Sequence, residues 1–409
     1  MTALDTLINA FVPGERVFLP GSAGEILPLS DAMASLPPLA ITSSFVPGIN
    51  RLRLDQLSPG TSWTGLFAQP GPPGAQEAGL FRHLVQSYGA FAQTLAHGTP
   101  FDTCLVHVTP PDADGMCSLG AAVEFTPIVA RRARRVLAVI NPRMPRLTHA
   151  VALPLRDFAL AVEIDAPLCE YDVGAESPQS SAIAAQIADF VPDGACLQIG
   201  LGKVPDALLR ALTNRRRLRL HSGMLSDGVR ALVEAGSLDP DTRPVSCVHV
   251  GSQAHYRWLA DRSDFAIRPC DETHAPATLS GLRRMVAVNG ALSVDLFGQA
   301  NLEMLGGRAV SGVGGAADFA RAAALAGDGT SIIALPATSG RSDLSRIVPQ
   351  LDIVASLPRQ DVDVVVTEHG AADLRGLTVA ERGRALIRIA APQHRATLDA
   401  AFHDLLRLL

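Results

Sequence analysis

Three glycine turns are the segments of this sequence best suited to hold a charged oxygen: Gly200–Leu201–Gly202, Gly223 with Gly228, and Gly312–Val313–Gly314–Gly315. A glycine turn that follows a strand and opens a helix leaves backbone N–H groups unpaired. Such groups suit phosphate oxygens or a developing oxyanion. Taken singly, each turn is an ordinary chain reversal. None carries the GxxxxGK[ST] pattern of a phosphate-binding loop, and none forms a dinucleotide fingerprint. Groups able to move protons or attack a carbonyl occur elsewhere in the chain: His221 and Asp227 flank Gly223 in sequence, and Glu124, Glu303 and Glu368 are carboxylates that sequence alone assigns to no turn. An imidazole serves as a general base near neutral pH, and a carboxylate can attack an activated carbonyl. Lys203, beside Gly202, is the single lysine; every other basic side chain is arginine. Its compact ammonium is a point charge in an arginine-biased chain. The same bias makes Arg131–Arg132, Arg134–Arg135 and Arg215–Arg217 read as solvated faces rather than binding patches. The six cysteines, Cys104, Cys117, Cys169, Cys196, Cys247 and Cys270, contain no CxxC and show no zinc-finger spacing to a histidine. They read as small buried hydrophobes in a reducing compartment, and no metal site is expected.

The elements that must position these residues follow from patterning. The chain has 409 residues, 47% hydrophobic and 18% charged, enough apolar material for large cores in two or three domains. Aromatics are only 5%, so aliphatic side chains fill those cores. The net charge of −5 argues against a nucleic-acid partner. The N-terminus has no basic start followed by a long apolar run, and no run of about 18 apolar residues occurs. A cytoplasmic protein without a membrane span is expected. Strands are predicted at Val17–Leu19, Cys104–Val108, Val136–Ile140, Leu160–Ile164, Cys196–Ile199, Arg217–Leu220, Val245–Val250, Ile332–Leu335 and Val362–Thr367. Several are near-continuous aliphatic runs, as for parallel strands covered on both faces. Ile183, Ile187 and Val191 repeat at helical spacing, and Leu208, Leu209 and Leu212 do so after Pro205. This alternation predicts an α/β architecture with mainly parallel sheets. The Gln69–Gly79 stretch reads as a surface loop, and Glu170–Ser181 as the connection between two similar α/β domains, 1–175 and 182–409. Both have a strand running into a glycine turn: VFLPGSAGE near the start and CLQIGLGKVP at Cys196–Pro205.

Several long segments together resemble the acetyl-CoA hydrolase/4-hydroxybutyrate CoA-transferase family. They are VTPPDADGMCSLG (Val108–Gly120), DGACLQIGLGKVPDALL (Asp193–Leu209), HSGMLSDGV (His221–Val229), VNGALSVDLFGQAN (Val288–Asn301), SGVGGAADFARAA (Ser311–Ala323) and VVVTEHGAADLRGLTVAERGRALIRIAAP (Val364–Pro392). The resemblance implies the CoA-transferase fold, an acyl-CoA site in the cleft between two domains, and a homodimer or higher homo-oligomer. Coenzyme A is then substrate and product, with no permanently bound cofactor, and a small carboxylate is the acceptor where CoA is transferred. In that family a glutamate attacks the thioester, and CoA passes through a glutamyl thioester to a second carboxylate. The resemblance gives Gly312, Gly314 and Gly315 the thioester oxygen, and places Gln198, Gly200 and Gly202 along the same cleft.

The family's glutamate stands in a segment reading His, Ser or Thr, Glu, Met. Here that segment is His221, Ser222, Gly223, Met224, with matching flanks through Gly228. A second departure follows in RPCDETHAP (Arg268–Pro276), where His274 aligns with an active-site asparagine of the transferases. A carboxylate removed at Gly223 leaves room for water, and His274 is the candidate to activate it. Asp227 is the carboxylate nearest in sequence to the vacancy, as capping residue or substitute nucleophile. Three classes stay open: a thioesterase-like hydrolase, a CoA-transferase using a non-covalent route or another carboxylate, and a CoA-thioester-binding protein without turnover.

Overall fold

The computed structural model describes residues 1–408 apart from 52, 261, 341 and 342. Two sheets organise the chain. The first has seven strands, all parallel, in the spatial order Phe81–His83, Ser62–Gly65, Ala40–Ser43, Arg16–Leu19, Thr103–Val108, Arg135–Ile140, Leu160–Glu163. The second has six: Arg219–Leu220, Cys196–Ile199, Met285–Gly290, Thr330–Ala334 and Val364–Thr367 run parallel, and Gly370–Asp373 closes the edge antiparallel. The mixed α/β fold with mainly parallel sheets is therefore as the aliphatic runs predict.

Two predicted strands change for visible reasons. Arg217–Leu220 shortens to Arg219–Leu220, because Arg217 sits at φ +54°, outside extended backbone. Val245–Val250 splits into Val245–Ser246 and Val248–His249, and neither piece joins a main sheet. The split falls where the Cys247 and Val248 N–H groups both turn to the Gly223 carbonyl, at 3.0 and 3.3 Å. Residues 170–177 are irregular, and a helix starts at Pro178, capped by Ser177. Ile183 and Ile187 are buried on that helix.

The largest hydrophobic cluster draws on both sheets, with Phe18, Val106, Phe125, Leu197, Val288 and Val364 among its buried members. Polar ties reinforce it near the helix Tyr88–His97. The Asp318 carboxylate accepts from Ser87 Oγ at 2.6 Å and from the Gly89 N–H at 2.9 Å. Among the described residues no helix is long and apolar enough to cross a membrane.

Candidate active site

The strands Cys196–Ile199, Arg219–Leu220 and Met285–Gly290 deliver their carboxyl ends to one edge of the second sheet, where open α/β sheets place ligands. A cavity of about 300 Å³ lies there. Gln198, Gly200 and Leu201 line it from the first strand and its turn, Asn289 and Gly290 from the central strand, and Gly312 to Gly315 from the opposite loop. Gly223 belongs to the same wall. Val46, Phe67 and Tyr88 reach in from the first half of the chain. Leu201, Asn289, Gly290 and Leu302 also border an adjoining cavity of about 380 Å³, which Gly202, Lys203 and Arg346 line. Lys203 opens the helix Lys203–Ala211, whose start has no side-chain cap, so its first N–H groups remain available.

Close packing explains the glycines of the 312–315 loop. A Cβ on Gly312 would lie 2.0 Å from the Leu66 carbonyl oxygen, and one on Gly315 2.6 Å from His274 Nε2. The Tyr88 N–H donates to the Gly314 carbonyl at 3.1 Å, tying the loop to the first half. Gln198 and Asn289 hold each other by reciprocal amide hydrogen bonds of 3.3 and 3.2 Å. Asn289 was not singled out from the sequence; an Asn-Gly pair closing an aliphatic run is the signal that could have found it.

Gly223 is different. Its carbonyl and neighbours are pinned: His221 N–H donates to Leu197, Ser222 Oγ donates to the Ile199 carbonyl at 2.7 Å, and Ser222 N–H donates to Val245. A Cβ there would stand 3.5 Å from His274 Nε2 and 3.8 Å from Phe319, ordinary contacts, and the backbone is not left-handed. Nothing in the local geometry demands glycine.

His274 is buried behind the two glycines nearest its Nε2, Gly223 and Gly315. Its ring lies between Phe319 and Tyr88, with centroids 4.7 and 5.3 Å away. Nδ1 is 2.9 Å from Thr273 Oγ1 and 3.7 Å from Cys247 Sγ, while Nε2 has no hydrogen-bond partner. The Thr273 hydroxyl can donate to the Pro269 carbonyl at 3.3 Å, which frees its lone pair for Nδ1–H. That tautomer leaves Nε2 an acceptor, packed behind Gly223 and Gly315; the ring itself does not line the cavity. His221 Nε2 donates to the Thr273 carbonyl at 2.9 Å, and burial holds its pKa below the ordinary value. Its part is to hold the His274 segment.

Asp227 does not join this cavity. Its carboxylate accepts from Ser252 N–H at 2.9 Å and Ser252 Oγ at 2.6 Å, ahead of the helix Gln253–Ala260, and it lines a separate cavity with Glu170, Asp172 and Asp206. Its nearness to Gly223 along the chain does not carry into the cavity, and of its two expected roles the contact with Ser252 is of the turn-holding kind. Glu303 accepts from Ser356, and Glu368 from Gln179 and the Ala337 N–H. Glu124, held at φ +38°, accepts from Ser22 Oγ and Ser44 Oγ at 2.7 and 2.8 Å. Burial pushes its pKa up to about 7, against those two hydrogen bonds. None of the four carboxylates lines the cavity, and neither does any other Asp or Glu among the described residues.

Behind His274 the fold assembles a group that the cysteine spacing hid. Cys247 Sγ lies 3.5 Å from Cys270 Sγ, and all three side chains are buried. Burial resists ionisation of both thiols. The Cys270 S–H hydrogen bond and the nearby imidazole nevertheless hold Cys247 well below the ordinary thiol value. Burial, with the hydrogen bond to Cys247 and the charge Cys247 carries when ionised, pushes Cys270 well above it.

The comparisons agree with this architecture. The acetyl-CoA hydrolase/transferase N-terminal domain matches residues 72–162 and the C-terminal domain of the same name matches 251–402. Residues 163–250, with Gly223, lie between the two matches. The chain is 38% identical over 312 residues to a 4-hydroxybutyrate coenzyme A transferase of Clostridium kluyveri, spanning 74% of this chain and 72% of that protein. It is 27% identical over 344 residues to an acetyl-CoA hydrolase of Candida albicans, spanning 74% and 65%. Among solved structures, RipA from Yersinia pestis superposes with a TM-score of 0.89 at 29% identity, over 99% of this chain and 97% of that one. A 4-hydroxybutyrate CoA-transferase from Porphyromonas gingivalis gives 0.80 at 27% identity, over 100% and 97%. With its cavity at the strand ends and its matches across both halves, the chain belongs to the acetyl-CoA hydrolase/transferase family.

Proposed function

We propose that this chain cleaves small acyl-CoA thioesters with water, rather than exchanging CoA through a glutamyl thioester. The observation that carries this reading is the cavity wall: glycine stands at 223, and among the described residues no carboxylate lines the cavity around it. A ping-pong transfer needs a carboxylate there to carry CoA between acyl groups. Coenzyme A is substrate and product. The adjoining cavity offers Lys203, Arg346 and the open helix start to its phosphates. Backbone N–H groups of the Gly312–Gly315 loop are the donors for the thioester oxygen as it gains charge.

Water takes the space that a longer side chain at 223 would fill. His274 Nε2 accepts its proton as oxygen bonds to the acyl carbon. The carbon–sulfur bond then breaks, and the thiolate of CoA takes the proton from the imidazolium, leaving a carboxylic acid and free CoA. The test is release of free thiol from acetyl-, propionyl- and butyryl-CoA in ¹⁸O water, with and without acetate. One labelled oxygen in the acid, at a rate independent of acetate, is expected. Acetate-dependent turnover, or an adduct trapped by borohydride on any carboxylate, would overturn the reading. Binding without turnover would leave a CoA-thioester-binding protein.

A further inference from the structure

We propose that Cys247, Cys270 and His274 form a binding site for one zinc-class divalent ion on the side of His274 that faces away from Gly223. The donor atoms of the three residues all lie within 4.8 Å of one another. The two sulfurs are 3.5 Å apart, and Cys247 Sγ is 3.7 Å from His274 Nδ1. Zinc–sulfur bonds of about 2.3 Å and zinc–nitrogen bonds of about 2.0 Å, set tetrahedrally, require edges of about 3.8 Å and about 3.5 Å. Those two separations are within a few tenths of the required edges, and the third, from Cys270 to His274, is at most 4.8 Å, a gap that rotation of the side chains can close.

Position in the fold favours the same reading. Cys270 and His274 are the first helical residue and the C-cap of one short helix, Cys270–Thr273, and so share a face. Cys247 comes from the segment that pins the Gly223 carbonyl, and its N–H makes that hydrogen bond. The Thr273 hydroxyl, 2.8 Å from Cys247 Sγ and 2.9 Å from His274 Nδ1, is the nearest oxygen for a fourth position. All three donors are buried. Two thiolates and a neutral imidazole around a divalent ion carry no net charge, which a dry site tolerates. Two soft sulfurs and one imidazole select zinc over magnesium or calcium. His274, alone of the three, also lines a cavity of about 480 Å³ on the Pro276, Leu279 and Arg321 side.

Occupancy has a consequence that rests on the hydrolytic reading above. The ion takes the Nδ1 lone pair and leaves Nε2 protonated, so the imidazole can donate into the cleft but no longer accept a proton from water. Metal and hydrolysis therefore compete for one ring.

The site itself is tested without activity. Cobalt(II) is titrated into the full, reduced chain, and thiolate-to-cobalt charge transfer in the near ultraviolet is followed together with the tetrahedral visible bands. One cobalt per chain, displaced by one zinc, is expected. C247S and C270S should each weaken binding by more than the about 10–100-fold of an outer-shell loss, whereas C104S should bind as the parent does. Circular dichroism checks that each variant is folded. X-ray absorption on the zinc-loaded parent should count two sulfurs and at least one imidazole nitrogen. No charge-transfer band in the parent, unchanged binding by folded C247S and C270S, or a ligand count without two sulfurs would each overturn the proposal. If the spectrum appears but zinc leaves hydrolysis unchanged, the site stands and the base role of His274 falls.

Discussion

The turn Gly21–Gly24 after the strand Arg16–Leu19, and the turn Gly200–Gly202 after Cys196–Ile199, look alike as sequence and have opposite fates. The first is sealed. A Cβ on Gly21 would sit 2.5 Å from the Ser44 backbone, Ser22 is buried at φ +48°, and its hydroxyl donates to Glu124. The Ser22 N–H is taken by Asn50, and the Gly24 carbonyl faces His107 Nδ1 at 3.3 Å. The second is open. Nothing lies within 4 Å of a Cβ on Gly200, and the turn lines both cavities of the cleft. A strand running into glycines makes backbone donors available. What packs over them decides whether those donors build a core or a site.

The largest effects lie on the open side. Gly223→Glu puts a carboxylate opposite the open turn at a position whose backbone and neighbours accept a side chain. Acetate-dependent CoA exchange should then appear, because a positioned nucleophile contributes up to ~7–11 kcal/mol through effective molarity. Exchange is read as labelled acetate entering acetyl-CoA; no exchange in a folded variant would show that the cleft lacks more than the nucleophile. His274→Ala should slow hydrolysis by ~10²–10⁴-fold, as loss of a general base does. Thiol release measured against pH is the readout, and a rate within a few fold of the parent would remove His274 from the mechanism.

The contrast also marks how far the sequence could be read. Continuous aliphatic runs such as Thr103–Val108 and Val364–Thr367 announced themselves, since buried parallel strands need nothing else. Ala40–Ser43, Ser62–Gly65 and Phe81–His83 did not: they are short and partly polar, and exist as strands through pairing with neighbours. Met285–Gly290, the strand carrying Asn289, was passed over although its run is aliphatic. At the site, local turn chemistry points to Gly200, Gly223 and Gly312–Gly315, the family resemblance adds Gln198, and the fold draws these together. Asp227, close to Gly223 along the chain, holds Ser252 instead of lining the cavity, because nearness in sequence is not nearness in space. The Cys247–Cys270–His274 group was illegible for the converse reason. Cys247 meets Cys270 across 23 residues of chain, through strands only two residues long.

The sealed turn should declare itself through pH. Burial holds His107 neutral, with a pKa lowered to about 4, although its hydrogen bond to Gly24 favours the charged form. Its other nitrogen is 3.0 Å from Asn141 Nδ2. Because the folded pKa lies below the unfolded value of about 6.5, the stabilisation is complete above pH ~6.5 and lost as pH falls toward 4. The loss amounts to about 3 kcal/mol at the acid end. Denaturant melts of parent and His107→Gln between pH 7 and 4 should therefore converge as pH falls, the parent having the steeper slope. Parallel curves would mean that His107 titrates normally. Gly21→Ala should cost about 1–3 kcal/mol at neutral pH, the range for overpacking a filled site. An unchanged melt would show that Ser44 moves aside and that the turn is not sealed.

Gly200→Ala is the smallest expected effect on stability and the most discriminating. Its Cβ enters open space, and the residue does not occupy the left-handed region, so neither collision nor backbone strain should appear. The melt should stay within about 0.5 kcal/mol of the parent. The methyl group nevertheless projects from a turn lining the cleft, where backbone must approach a ligand closely. On the proposed reading it therefore raises KM for acyl-CoA while leaving the fold intact. Gly21→Ala should do the reverse, lowering stability and leaving KM near the parent value in the folded fraction. Paired measurements of melting and KM on these two variants separate the turns directly. If both variants lose stability alike and neither changes KM, the two turns are equivalent supports and the cleft binds its ligand elsewhere.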